Sequence, residues 1–256
     1  MMALRSRLDA GSRGDGVTGA RRAAKAPRLS IIMPVLDEGE RVEAALATLA
    51  PLRERGVEII VVDGGSTDAT VEKARGQADL VLVAPRGRAS QMNAGAERAR
   101  GDILLFLHCD TQLPQGADRL ILEALEGSGR HWGRFDVELS GRPFILRLVA
   151  FMMNWRSRLT GIATGDQAIF TRREAFAKAG LYPDIPLMED IAISKALKRI
   201  SPPVAIRTPA IASGRRFEAK GVWRLILLMW ALRLSYWAGA DPDALARRYG
   251  YVPRSR

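Results

Sequence analysis

Four short apolar runs constrain this chain most. They are residues 29–36 (LSIIMPVL), 57–62 (VEIIVV), 80–83 (LVLV) and 103–107 (ILLFL). They are rich in branched residues and show no in–out alternation, the mark of strands buried on both faces. Between them lie helical patterns. Residues 41–52 carry an apolar stripe at Val42, Ala45, Leu46 and Leu49 that ends near Pro51. The turn Asp63-Gly-Gly-Ser-Thr-Asp precedes a helix over 69–75, and a helix over 89–100 is closed by Gly101. Strands alternating with helices at this spacing predict a parallel, doubly wound α/β sheet. Beyond residue 110 the pattern loosens. It predicts helices over 116–125, 144–159, 172–179, 191–199 and 242–249. Strands are expected over 132–139, 166–171 and 204–206, the first of them antiparallel.

The net charge of +11 invites a nucleic-acid partner, and its distribution excludes one. Residues 1–28 carry +5 and residues 205–256 carry +7, whereas 29–204 carry −1. A neutral domain between basic flanks is not a uniformly basic binder. This divides the chain into a disordered basic arm (1–28), a globular domain (29–204) and a basic, apolar helical extension (205–256). The arm has no apolar stretch after Arg5 and Arg7, so it does not read as a secretory signal. One cysteine excludes a disulfide framework, and two histidines argue against a multi-histidine metal site.

In open α/β sheets, ligands bind beyond the carboxyl ends of the strands. Three such ends carry acids here: Asp37-Glu38, Asp63 and His108-Cys109-Asp110. Carboxylates accept hydrogen bonds from base and ribose donors. They are also the hard oxygen ligands a divalent cation takes. The chain has no G-x-G-x-x-G after its first strand, no phosphate-binding G-x-x-x-x-G-K-[ST] loop and no G-x-S-x-G elbow.

Five segments, taken in order, resemble glycosyltransferase family 2. They are SIIMPVLDE (30–38), VVDGGSTDAT (61–70), GRASQMNAG (87–95), LFLHCDT (105–111) and MEDI (188–191). The resemblance covers about 29–200 and implies the family's GT-A fold, a Rossmann-like, mostly parallel sheet flanked by helices, followed here by a C-terminal apolar helix. Residues 214–221, the apolar segment after them and 240–250 are similar to a small bacterial subgroup. That subgroup is known by its genomic association with radical-SAM and selenodomain proteins.

The resemblance implies roles. Pro34, Leu36 and Glu38 would line the nucleotide pocket, Glu38 near the ribose or base. Asp63 would bind the base or ribose, and Gly87, Arg88 and Gln91 would close over the nucleotide and its phosphates. Asp110 matches the last residue of the family's D-x-D motif, which holds Mn²⁺ or Mg²⁺ on the diphosphate. Its first acid is replaced by His108, so metal binding rests on one carboxylate. Asp190 matches the catalytic base. Gly165, Asp166, Gln167 and Glu189 fall where acceptor or sugar is contacted, and Arg215 and Arg216 suit the diphosphate. The implied reaction is an inverting single displacement from a UDP- or GDP-sugar. The expected acceptor is lipid-like: a polyprenyl phosphate, a membrane lipid or a carotenoid acid such as 4,4'-diaponeurosporenoate. The alternatives are a nucleotidyltransferase and a noncatalytic membrane-surface module.

Residues 222–238 (VWRLILLMWALRLSYWA) are apolar but interrupted by Arg224 and Arg233. They fall short of the roughly 20 apolar residues a span requires. Trp and Tyr beside basic charge are residues favoured at membrane interfaces. The expected placement is therefore cytoplasmic, peripheral on the inner face of the cell membrane.

Overall fold

A computed structural model describes residues 27–141 and 144–251. The expected basic arm lies almost wholly outside the described residues. The chain forms one eight-stranded sheet flanked by helices. Strand β1 (Leu29–Val35) lies between β2 (Glu58–Asp63) and β4 (Ile103–Phe106), and β3 (Leu80–Val83) pairs with the outer side of β2, all in parallel. Every residue of β1 is buried. Ile31, Met33 and Val35 enter the core on one face of the sheet, and Ile32 enters the core on the other. Helices α1 (Val42–Glu54) and α4 (Ala117–Ser128) cover the first face. Helices α3 (Arg88–Arg98), α6 (Arg173–Lys178) and α7 (Glu189–Lys198) cover the second. A β-carbon at Gly95 would sit 2.5 Å from Ile32 Cγ2, so glycine lets α3 lie close upon β1. Helix α2 (Thr70–Ala74) is a single short turn of the β2–β3 connection.

Beyond β4 the sheet is mixed, which corrects the mostly parallel expectation. Strand β7 (Phe170–Arg172) pairs antiparallel with both β4 and β6 (Trp132–Ser140). Strand β8 (Val204–Ser213) runs parallel to β6 and antiparallel to the two-residue β5 (Thr111–Gln112). Antiparallel pairs need no full crossover. Here helix α5 (Ile145–Thr160) and a 3₁₀ turn (Gly165–Gln167) connect β6 to β7.

Three local expectations also change. Helix α1 continues through Pro51 to Glu54; Ala47 and Pro51 are exposed, so water can serve the carbonyl that the proline leaves unpaired. Residues 166–171 are not one strand, because Thr164 and Gln167 form a capping box that bends 165–167 into the 3₁₀ turn. Strand β8 extends seven residues past the expected 206, through the change in composition at 205. A bulge between Phe135 and Asp136 accommodates the extra residues before Pro209. The Arg215-Arg216 pair opens a short helix, α8 (Arg215–Lys220).

Helix α9 (Val222–Trp237) and α10 (Pro242–Tyr249) end the described chain. The Asp241 side chain caps α10 by accepting from the Asp243 and Ala244 amides, each at 3.2 Å. Leu225 and Leu232 are the buried residues of α9. Leu232 packs with Leu187, Met188 and Ile191, so α9 rests on the segment that enters α7. Among the described residues, no helix is long and apolar enough to cross a membrane.

Candidate active site

The loops after β1 and β2 lock each other at the carboxyl edge of the sheet. Asp37 adopts φ 50°, and its carboxylate accepts from the Thr67 amide at 2.8 Å. The Asp37 and Glu38 amides donate to Ser66 Oγ and Thr70 Oγ1, both at 2.8 Å. Asp63 is buried and accepts from the Gly65 and Ser66 amides at 2.8 and 2.9 Å, as well as from the Ser66 hydroxyl. Its first duty is therefore to shape the turn that any nucleotide would meet. Gln91 is buried and donates to the Val35 and Val62 carbonyls at 2.8 and 2.7 Å, fastening the ends of β1 and β2. Its amide nitrogen is fully used in the scaffold. Pro34 is also buried within β1, whereas Leu36 and Glu38 are half-buried. Glu38 pairs with Arg41 at 2.9 Å.

The end of β4 supplies the next group. Cys109 is buried, and burial pushes its thiol up to about 12, with help from the nearby Glu38 and Asp110 carboxylates. It is a core residue and not a nucleophile. Asp110 is partly exposed, and Arg215 Nη2 stands 4.0 Å from it. Arg215 Nε also donates to Ser213 Oγ at 2.9 Å, which holds the guanidinium beside Asp110. Arg216 donates to the Tyr249 hydroxyl at 2.9 Å and stands near enough to Asp166 for its charge to act on that carboxyl.

The third group gathers around α7. Met188 caps the helix at φ 71°, and Glu189 and Asp190 occupy its first turn. Glu189 is buried and pairs with Arg88 Nε at 2.6 Å. That carboxylate holds the Arg88 guanidinium well above the usual arginine range, so Arg88 stays charged. Asp190 is partly exposed and accepts from the Ile191 amide at 2.7 Å and the Gly165 amide at 3.1 Å. A β-carbon at Gly165 would lie 2.3 Å from His108 Cε1, so only glycine fits between the histidine ring and Asp190. His108 Nδ1 is 3.6 Å from Asp166 Oδ1. Burial alone would raise the Asp166 carboxyl; His108, Arg216 and Arg88 outweigh it and hold the carboxyl below its ordinary range.

Glu38, Asp63, Arg88, Asp110, Gly165, Asp166, Glu189, Asp190 and Arg215 thus sit on elements joined at one edge of the sheet. Gly87 precedes Arg88 as the φ 137° residue that opens α3. Gln167 does not join them: it is fully buried, and its amide serves Thr164 and Asn154 in shaping the turn. For a divalent cation the protein supplies few ligands. Among the described residues, no three His, Cys, Asp or Glu side chains form a cage. Asp110 offers one hard oxygen, so a cation there would take its remaining ligands from diphosphate and water. Sequence reasoning missed two residues. Arg156 of α5 and Arg233 of α9 bring buried nitrogens, with no hydrogen-bond partner among the described residues, near enough to Asp190 to feel its charge. Their signal was a charge interrupting an apolar helix.

In open, doubly wound sheets ligands bind beyond the carboxyl ends of the strands, which is where these acids stand. A family model described as "Glycosyl transferase family 2" matches residues 30–179, and the chain belongs to that family. It is 28% identical over 143 residues to an uncharacterized glycosyltransferase of Mycobacterium bovis, covering 51% of this chain and 59% of that protein. It is 24% identical over 183 residues to poly-beta-1,6-N-acetyl-D-glucosamine synthase of Staphylococcus aureus, covering 65% and 44%. The chain thus spans about half the length of the curated relatives it matches. Among solved structures it resembles the mannosyltransferase PcManGT from Pyrobaculum calidifontis in complex with GDP-Man and Mn²⁺, with TM-score 0.60, 21% identity, and 89% and 70% of the two chains covered. It also resembles S. aureus TarS 1-349 in complex with UDP, with TM-score 0.59, 19% identity, and 73% and 60% covered. These likenesses establish the GT-A-like fold, and the family match leaves the nucleotidyltransferase alternative without support.

Proposed function

We propose that this protein transfers a sugar from a UDP- or GDP-sugar to a lipid-like acceptor by an inverting single displacement. The observation that carries the reading is the convergence of Asp63, Asp110, Arg88 and Asp190, far apart in the chain, on one edge of the sheet. The neighbours solved with UDP, or with GDP-Man and Mn²⁺, support a nucleotide-sugar donor and a divalent cation. In this reading the turn at 63–66 receives the nucleoside, and Asp110 holds Mn²⁺ or Mg²⁺, which neutralises charge on the diphosphate when bound. Arg215 stabilises the charge that grows on the leaving diphosphate. Asp190, oriented by two backbone donors, accepts the proton of an attacking hydroxyl. A carboxylate or phosphate acceptor brings no proton to remove, and Asp190 then orients it.

The lipid-like acceptor rests on the apolar surface of α5 and α9. Phe151, Trp155, Trp223, Trp230 and Trp237 are exposed there, and Trp237 is 77% accessible. An exposed apolar face of this kind suits a membrane interface. The proposed location is the inner face of the cell membrane, with the basic flanks adding attraction to anionic lipid. Membership of the subgroup associated with radical-SAM and selenodomain proteins, and a carotenoid acid as acceptor, belong to the same reading. Incubation with a panel of UDP- and GDP-sugars, Mn²⁺ and membrane lipid extract should release a nucleoside diphosphate and yield a sugar-modified lipid. Release from none of the donors would overturn the donor assignment.

A further inference from the structure

Helices α5 and α9 flank a cavity of about 690 Å³ that is open to solvent along its outer side, a volume within the range of small-molecule sites. Its walls are apolar: Met152 and Trp155 come from α5, and Trp223, Met229 and Trp230 from α9. Its polar lining includes Arg156, Arg233 and Asp166. Arg156 Nε and Nη2 and Arg233 Nε are buried and have no hydrogen-bond partner among the described residues. The nearby carboxylates do not bond to them. Asp190 accepts from the Gly165 and Ile191 amides, and Asp166 lies against His108. Burial, followed by repulsion from Arg233, lowers the Arg156 guanidinium to about 10. Burial likewise depresses Arg233. Two like charges are therefore held together and poorly hydrated, only partly offset by the Asp190 and Asp166 carboxylates, an arrangement that an anion placed between them would relieve.

We propose that this cavity binds an amphiphile, its apolar chain lying between α5 and α9 and its oxyanion head held by Arg156 and Arg233. The inference rests on the glycosyltransferase reading only in calling this amphiphile the acceptor. A guanidinium presents a planar fork that matches the oxygens of a phosphate or carboxylate. Helix α9, with 16 residues, is roughly 24 Å long, enough to flank an extended chain. The outer ends of both helices are exposed and apolar, so a chain that overran the cavity would continue along their surface. A peptide segment would leave its backbone groups unpaired against such walls.

Three cavity-lining tryptophans supply the readout. The full chain is titrated with farnesyl phosphate, farnesol and palmitate, without nucleotide, and tryptophan fluorescence is followed. Farnesyl phosphate should bind saturably and about 10-fold or more tighter than farnesol, the scale of charge-assisted hydrogen bonds to an arginine pair. Palmitate distinguishes the head: binding comparable to farnesyl phosphate marks a general oxyanion site, and weaker binding marks a phosphate site. Both support the proposal. The Arg156→Met, Arg233→Met double variant should keep its farnesol affinity and lose the preference. Arg233→Lys, which keeps the charge without the fork, should fall between.

Equal binding of farnesyl phosphate and farnesol to the unaltered protein would overturn the proposal, and that comparison needs no variant to fold. Preference that survives in the double variant, or binding to vesicles alone without saturable binding of the single amphiphile, would overturn it too. UDP and GDP binding is measured separately by thermal shift. A protein that binds farnesyl phosphate and neither nucleotide would keep this site and lose the donor reading.

Discussion

Both carboxylate oxygens of Asp190 accept backbone N–H bonds, which fixes where a proton acceptor stands before any substrate arrives. Asp190→Asn preserves the shape of the side chain and removes its basicity. It should lower turnover of a hydroxyl acceptor about 10²–10⁴-fold while leaving nucleotide affinity unchanged, as steady-state kinetics and nucleotide titration will show. Gly165→Ala drives a β-carbon into the His108 ring and should displace both His108 and Asp190. Lower turnover with an intact far-UV circular dichroism spectrum is the expected result. Away from the site, Glu58 is buried and accepts from Ser30 Oγ at 2.5 Å and from the Arg100 amide at 2.7 Å. Burial pushes its carboxyl up, but these donors and the Arg100 guanidinium outweigh it and hold it below the ordinary 4.5. Its stabilisation is therefore complete above that value and is lost as pH falls below it. Urea midpoints should show a smaller acid-induced loss in Glu58→Gln than in the native protein. Acids at strand ends were legible because their position after buried runs is itself the signal. Arg156 and Arg233 were not, because only the tertiary fold, which sets α5 and α9 on either side of one groove, brings two distant charges together.

Helix α5 is anchored on its inner side. Asn154 accepts from the Val137 amide at 2.8 Å and donates to the Val137 carbonyl at 2.9 Å, joining the edge of β6 as a strand would. Arg158 grips Asp136 of β6 through two bonds, at 2.6 and 2.7 Å. This fixes one wall of the cavity and leaves its outer face free. Asn154→Ala strands two backbone groups and should cost about 1–3 kcal/mol in chemical unfolding. Turnover should fall further than stability accounts for if α5 positions the acceptor. The elements up to β4 were legible because a strand buried on both faces announces itself without a partner. The later ones were not. The 3₁₀ turn depends on one Thr164–Gln167 pairing, and the length of β8 depends on its bulged register with β6.

At the scale of the molecule, the C-terminal part of the basic surplus falls in the same segment as the exposed apolar helix α9. The neutral sheet domain holds the carboxylates, and the surplus of basic residues lies at the two ends of the sequence. The exposed tryptophans of α5 and α9 project from the same C-terminal half. Cosedimentation with vesicles should show binding to anionic lipid that weakens as salt rises, and little binding to neutral lipid. Salt-insensitive binding would assign the attraction to the apolar face alone. The central claim is that the carboxyl edge of this sheet is a nucleotide-sugar site completed by a cation at Asp110. Isothermal titration of UDP and GDP, each with and without Mn²⁺, tests it most directly in the native protein and in Asp110→Asn. One nucleotide should bind at least about 10-fold tighter with Mn²⁺, and Asp110→Asn should remove that gain. Absence of binding by either nucleotide, with or without the metal, would contradict the claim.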